Sequence, residues 1–233
     1  VIDSCPILDG RVGEKLRDLA SMIESLSIPD QIAQIEVAIG DETTSLVFRN
    51  LKPLTEQDLS ILSEFGRAHG FQIYQQPGGP KTVSLVYPEQ AYLNYRFDEF
   101  DVSLSFQPGD FTQINPVINR KMVPLAIDML DVKPIDRVLD LFCGLGNFTF
   151  PLAKRAASVV GVEGEQALVD RAQENANENG ISNAEFYAAD LTQDHSDKQW
   201  LKTPFDAVLL DPPRSGALEV IPHVAALGAK RIV

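Results

Sequence analysis

The sequence predicts an α/β protein, with a doubly wound parallel sheet over residues 107–233 preceded by a smaller α+β domain over residues 1–106. Three observations predict it. Past Gln107-Pro108-Gly109, short apolar runs alternate with helical ones. Those runs are continuously apolar, as in strands buried on both faces. The first of them leads directly into a turn with glycines at 144 and 146.

In the first part, Leu16, Leu19, Met22, Ile23 and Leu26 fall at helical spacing, and Leu59, Ile61, Leu62 and Phe65 predict a second helix. Strand-like runs occupy Ile32–Ile39, Ser45–Phe48, Phe71–Tyr74, Thr82–Tyr87, Ala91–Phe97 and Val102–Phe106. Gln75–Pro80, with Gly78-Gly79-Pro80, reads as a turn. No catalytic constellation stands out in this domain, which reads as a scaffold or substrate-positioning element.

The second part opens with a helix over Val117–Leu130, where Pro124 predicts a kink. Arg137–Phe142 is a strand, followed by the glycine turn and a helix over Phe148–Arg155. Ser158–Val162 is the next strand. Glu165–Asn179 is a polar helix that Gly180 stops. Glu185–Ala188 and Ala207–Leu210 add two strands, with a solvated stretch around Asp194–Lys202 and Trp200 before the last. Lys230-Arg231-Ile232-Val233 reads as a fifth strand, so the sequence is expected to be cut inside its sheet, lacking a C-terminal piece and an N-terminal one.

Composition narrows the function. Hydrophobic residues make up 44% and charged residues 23%, enough for a sizeable core and unlike a disordered chain. No apolar run is long enough to cross a membrane. The two cysteines do not make a disulfide framework, which points to a reducing cytoplasm. The net charge is −13, with 9 basic and 17 acidic residues up to position 120 and 11 and 16 after it. Taken alone, that sum argues against nucleic acid.

The motifs argue otherwise. The first strand ends Asp140-Leu141-Phe142-Cys143-Gly144-Leu145-Gly146-Asn147-Phe148. A dinucleotide fingerprint would place a third small residue at 149, where Thr149 stands. Glu163 closes the second strand 19 residues after Gly144, a spacing that suits ribose hydroxyls of either a nicotinamide dinucleotide or S-adenosylmethionine. Asp190 follows the third strand and could accept from an adenine amino group. Asp211 ends the fourth, in Leu210-Asp211-Pro212-Pro213-Arg214. Acids after four strands, Asp140 included, would ring one crevice at the strand ends. S-adenosylmethionine carries an ammonium and a sulfonium and no pyrophosphate, so an acidic crevice favours it.

Asp-Pro-Pro also occurs in enzymes that methylate base amino groups, but those place an aromatic where this chain has Arg214. Upstream lies Phe106-Gln107-Pro108-Gly109-Asp110-Phe111-Thr112-Gln113-Ile114-Asn115. There Phe111 could stack on a base, and Gln113 could bond a base edge or the methyl donor. Together with Asn119-Arg120-Lys121-Met122, Asp140–Phe148, Val160–Gly164 and Leu209–Gly216, this ordered set resembles the RNA uracil-C5 methyltransferase family. It looks most like the branch that acts on 23S ribosomal RNA and carries an iron–sulfur cluster, since Asp3-Ser4-Cys5-Pro6-Ile7-Leu8 resembles the segment bearing that branch's last cluster cysteine. Over residues 9–106 the resemblance is diffuse.

The resemblance implies a Rossmann-like class I S-adenosylmethionine-dependent methyltransferase domain. It implies donor contacts from Gln113, Phe142, Asn147, Glu163, Asp190 and Asp211, with Phe111, Gln113 and Asp211 also facing the extruded uracil. Cys5 would be one ligand of a [4Fe–4S] cluster that this chain alone is not expected to build. The family adds a thiolate to uracil C6 so that C5 can attack the methyl group. Its nucleophilic cysteine and general base are expected beyond Val233, so these 233 residues are expected to be inactive. Cys143, beside the donor, is a poor candidate for that nucleophile. His69, His195 and His223 show no ligand spacing.

Competing readings are a base-amino methyltransferase, a binding module for S-adenosylmethionine or RNA without chemistry, and a nicotinamide dehydrogenase. With both parts acidic, these residues alone are expected to bind 23S ribosomal RNA weakly, leaving most phosphate contacts to other parts of the intact protein.

Overall fold

The computed structural model describes residues 2–193, 198–214 and 216–233. The chain forms two compact units. One takes the residues up to Asn94 with Phe106–Asp110, the other Tyr95–Ser105 with Phe111–Val233.

The first unit contains α1 (Gly10–Gly13), α2 (Leu16–Glu24), β1 (Ile32–Ile39), β2 (Thr44–Asn50), α3 (Glu56–His69), β3 (Phe71–Gln75) and β4 (Ser84–Tyr87). Its sheet runs β1-β2-β3-β4, and the β2–β3 pair, joined through α3, is the parallel one. Leu46, Phe48 and Ile73 from the sheet, Leu62 and Phe65 from α3, and Leu19 and Met22 from α2 make one core. Thr55 and Asp58 cap α3 reciprocally. The same buried carboxylate accepts the Ser27 N–H and hydroxyl, both at 2.7 Å. Burial alone would raise the Asp58 pKa, but the bonds from Ser27 and Thr55 outweigh it and hold the carboxyl below the usual range. The run expected as strand from Thr82 starts pairing at Ser84. Thr82 is spent on the turn before it, with its hydroxyl accepting from Gly78 N–H and donating to the Gly79 carbonyl.

A hairpin of β5 (Leu93–Phe97) and β6 (Val102–Phe106) leads towards the second unit, which continues with α4 (Pro116–Leu130), β7 (Arg137–Leu141), α5 (Thr149–Ala153), β8 (Ser158–Glu163), α6 (Gln166–Glu178), β9 (Ala184–Ala188), β10 (Ala207–Leu210), α7 (Ile221–Ala226) and β11 (Arg231–Ile232). The five strands are parallel in the order β11-β10-β7-β8-β9. The chain steps outward from β7 to β9, then returns to the other side of β7 for β10. The switch point therefore lies between the ends of β7 and β10, where such sheets bind ligands.

Helix α4 continues through Pro124. The helix expected over 148–155 is confined to five residues, because the turn consumes the chain up to Phe148. Trp200 corrects the expectation of a solvated stretch. It is buried with Leu191, Phe205 and Val208, its ring 6.0 Å from that of Tyr187. His195 lies outside the described residues. An asparagine of α6 and the one that caps its C-terminus take the place of a neighbouring strand for β6. Asn175 bonds both the N–H and the carbonyl of Ser105, at 2.8 and 3.0 Å, and Asn179 does the same for Ser103, at 2.8 and 2.7 Å.

Candidate active site

A cleft of about 670 Å³ opens at the switch point. Its floor is the turn after β7, its walls come from the ends of β8 and β10, and Phe111–Asn115 and Tyr95 border it. Phe142 has a left-handed backbone (φ 65°), as do Gly144 (φ 54°) and Gly146 (φ 96°). At Gly146 a side chain would strike the Phe150 ring, so glycine is required twice over.

Glu163 is fixed by the backbone. Its Oε2 accepts the Gly144 N–H at 3.0 Å, and its Oε1 accepts those of Gly164 and Glu165 at 2.7 and 3.2 Å. The Gly146 N–H is likewise engaged, by the Cys143 carbonyl at 2.9 Å. Across the cleft, Gln113 Nε2 donates to Asp211 Oδ2 at 3.3 Å. Desolvation raises the Asp211 pKa. Asn147 belongs to a side-chain network. Its Oδ1 accepts from Tyr95 Oη at 3.0 Å and from Asn119 Nδ2 at 2.8 Å, while its Nδ2 donates to Asn119 Oδ1 at 3.0 Å.

The structure thus brings Phe111, Gln113, Phe142, Asn147, Glu163 and Asp211 to one cleft. Asp190 stands outside that lining, where its carboxylate caps its own turn through Thr192 N–H and hydroxyl, at 3.0 and 2.7 Å. Asp140 corrects the expectation of four crevice acids. It is fully buried behind the turn, with one oxygen accepting from Thr149 Oγ1 at 2.6 Å and the other, Oδ1, without a hydrogen-bond partner among the described residues. Burial, then the charges of Asp211 and Glu163, push its pKa up to about 7 against the Thr149 bond. Cys143 borders the cleft, but its thiol is buried against Gly161. Burial and the nearby Asp140 and Glu163 raise its pKa well above the ordinary thiol value, which suits it poorly to nucleophilic attack. Cys5 lies in the first unit, its N–H bonded to the Gly13 carbonyl. Among the described residues no three metal-ligating side chains converge, and no helix is long and apolar enough to cross a membrane.

The profile of the tRNA (uracil-5-)-methyltransferase family matches residues 44–226, which take in every wall of the cleft. The chain belongs to that family. Within it, the chain is 59% identical over 233 residues to the 23S rRNA (uracil(1939)-C(5))-methyltransferase RlmD of Alkalilimnicola ehrlichii, and 47% identical over 234 residues to the enzyme of the same name from Alcanivorax borkumensis. It spans about half of each relative, 52% and 53%. The Pyrococcus abyssi tRNA (uracil-54, C5)-methyltransferase, solved in complex with S-adenosyl-L-homocysteine, superposes with a TM-score of 0.73 at 21% identity, covering 99% of this chain and 58% of that one. The fold is that of class I methyltransferases.

For this family member, sequence reasoning gave Tyr95 no role. It lies outside the glycine-turn motif, and its bond to Asn147 spans 52 positions. Asn119 was part of a motif without a role, and only its contact with Asn147 supplies one.

Proposed function

We propose that this chain forms the donor-binding part of a cytoplasmic enzyme that methylates C5 of a uridine in 23S ribosomal RNA. The observation that carries the reading is the state of the glycine turn. Its Gly144 and Gly146 N–H groups are already engaged by Glu163 and Cys143, so they are not free to cradle a pyrophosphate. What the cleft offers is two carboxylates, three side-chain amides from Gln113, Asn115 and Asn147, the Arg214 guanidinium, and apolar walls from Phe142, Leu145, Phe148 and Leu168. That combination suits a nucleoside bearing a cationic amino-acid tail. Its volume also falls in the usual small-molecule range of roughly 300–1,000 Å³.

S-adenosylmethionine, when bound, supplies a methyl group made electrophilic by the sulfonium. Glu163 would accept from the ribose hydroxyls, its carboxylate held in place by three backbone donors. Phe142 and Asn147 would shape the turn side of the site. Asp190 is assigned to the adenine amino group, beyond the cleft's own lining. Asp211 and Gln113, bonded to each other, would sit where donor and uracil meet, and Phe111, 70% exposed, offers a ring for a base to stack on. Cys143 is not the attacking thiol, so we assign these residues to binding and assign no methyl transfer to them alone.

Cys5 is proposed as one thiolate ligand of a [4Fe–4S] cluster in the intact protein. The described residues do not themselves amount to a cluster site. With a net charge of −13, this chain is expected to hold RNA weakly.

Calorimetry with S-adenosylhomocysteine and with NADH tests the donor site. Binding of the first alone, lost on the order of tenfold or more in Glu163→Gln, is expected, and preference for NADH would refute it. Incubation with labelled donor and uracil-containing RNA tests the division of labour, because methyl incorporation by the 233 residues would overturn it. In the intact protein, nucleoside mass spectrometry separates C5 methylation from methylation of a base amino group, the reading that Arg214 disfavours.

A further inference from the structure

The Tyr95–Asn119–Asn147 network has a polarity, and that polarity bears on what the cleft can accept. A side-chain amide has two acceptor lone pairs and two N–H donors. In Asn147 both lone pairs are used, by Tyr95 Oη at 3.0 Å and Asn119 Nδ2 at 2.8 Å. One N–H is used as well, by Asn119 Oδ1 at 3.0 Å. The two amides alone would be satisfied equally if both were turned over. The Tyr95 hydroxyl breaks that symmetry, because a phenol donates a hydrogen bond better than it accepts one. Asn119 is buried, at 4% exposure, so its amide has no water to turn towards. Asn147 borders the cleft and is only partly buried. What it has left to offer a ligand there is a single N–H.

We infer that Tyr95 and Asn119 are positioning residues that lock Asn147 into presenting a donor, and that this donor selects the carboxylate of the methionine tail of the methyl donor. This rests on the donor-site reading above and deepens it. Glu163 and Asp211 are carboxylates and would repel that end of the ligand, and Arg214 is the one cation in the described lining, so a fixed neutral donor such as the Asn147 N–H gives the anionic group a further place to dock. The nucleoside end needs no such lock. A ligand with the nucleoside but no carboxylate should be indifferent to the network.

The test uses two ligands on the 233-residue chain. S-adenosylhomocysteine carries the amino-acid tail, and 5′-methylthioadenosine lacks it. Tyr95→Phe removes the hydroxyl and keeps the ring. Asn119→Asp removes the N–H that Asn147 Oδ1 accepts and sets a carboxylate oxygen against it, which loosens the lock on the amide. Expected is a loss of about tenfold or more in affinity for S-adenosylhomocysteine in either variant, with 5′-methylthioadenosine unchanged within about twofold. Equal losses for both ligands would reduce the network to structural support and overturn the inference. So would unchanged affinity for both. If Asn119→Asp fails to fold, judged by its melting curve, Tyr95→Phe alone decides. Failure of the unsubstituted chain to bind S-adenosylhomocysteine would instead remove the donor-site reading on which the inference stands.

Discussion

Asp140→Asn should abolish a pH dependence of stability that the wild-type chain carries in its second unit. The carboxyl is fully buried, one oxygen has no partner among the described residues, and its pKa is pushed from 3.8 up to about 7. In the unfolded chain the same group returns to its ordinary value. Between the two values the folded chain keeps a proton that the unfolded chain has released, so stability falls as pH rises through that window. The penalty is absent below about pH 4 and complete above about pH 7. A rise of that size in proton affinity corresponds to on the order of 4 kcal/mol, at ~1.4 kcal/mol per tenfold. Asparagine keeps an oxygen for Thr149 and has nothing to ionise. Trp200 is the single tryptophan of the chain and is buried in this unit's core, so urea unfolding followed by its fluorescence reports on the right unit. The stability gap between variant and wild type should therefore change, in the variant's favour, by about that amount between pH 4 and pH 8. A gap constant within about 1 kcal/mol over that range would refute the reasoning.

Three further outcomes follow from the same geometry. Asp58→Ala should cost roughly 2–4 kcal/mol by removing the carboxylate half of the reciprocal α3 cap and stranding the Ser27 and Thr55 donors. Because its folded pKa is depressed, the wild-type contribution is present above about pH 4 and lost as pH falls further, which circular dichroism melts across pH would show. Gly146→Ala should lower the Trp200-detected stability by about 2 kcal/mol or more and abolish S-adenosylhomocysteine binding, since both the backbone (φ 96°) and the Phe150 ring oppose a side chain there. Phe111→Ala, at a side chain 70% exposed, should leave stability within about 0.5 kcal/mol and S-adenosylhomocysteine affinity unchanged while weakening uracil-containing RNA in a filter-binding assay.

The parallel half of the fold was legible because strands buried on both faces carry continuous apolar runs, and because the polar helix before Gly180 has a clean period. The cleft was legible where its residues sit at strand ends, as Glu163 and Asp211 do. Strand-end position does not tell which way an acid points, which is why Asp140 read as a crevice wall when it lies behind the turn. Trp200 was hidden for a different reason. A single large apolar anchor among polar neighbours has no periodicity to betray it, and its burial depends on partners as distant as Leu139 and Val224. Tyr95 was beyond reach because its meaning comes from a hydroxyl meeting an amide far along the chain.

The hairpin of β5 and β6 has a consequence for inheritance. The second unit takes Tyr95–Ser105, yields the chain to the first unit for Phe106–Asp110, and resumes at Phe111. A recombination event that carried off everything after residue 107 as one uninterrupted stretch would leave Tyr95 behind. It would also leave Asn175 and Asn179 with no Ser105 and Ser103 backbone to bond. Gene fusion or domain shuffling would therefore have to move the hairpin with the sheet, with the cut falling before β5 rather than after Gln107.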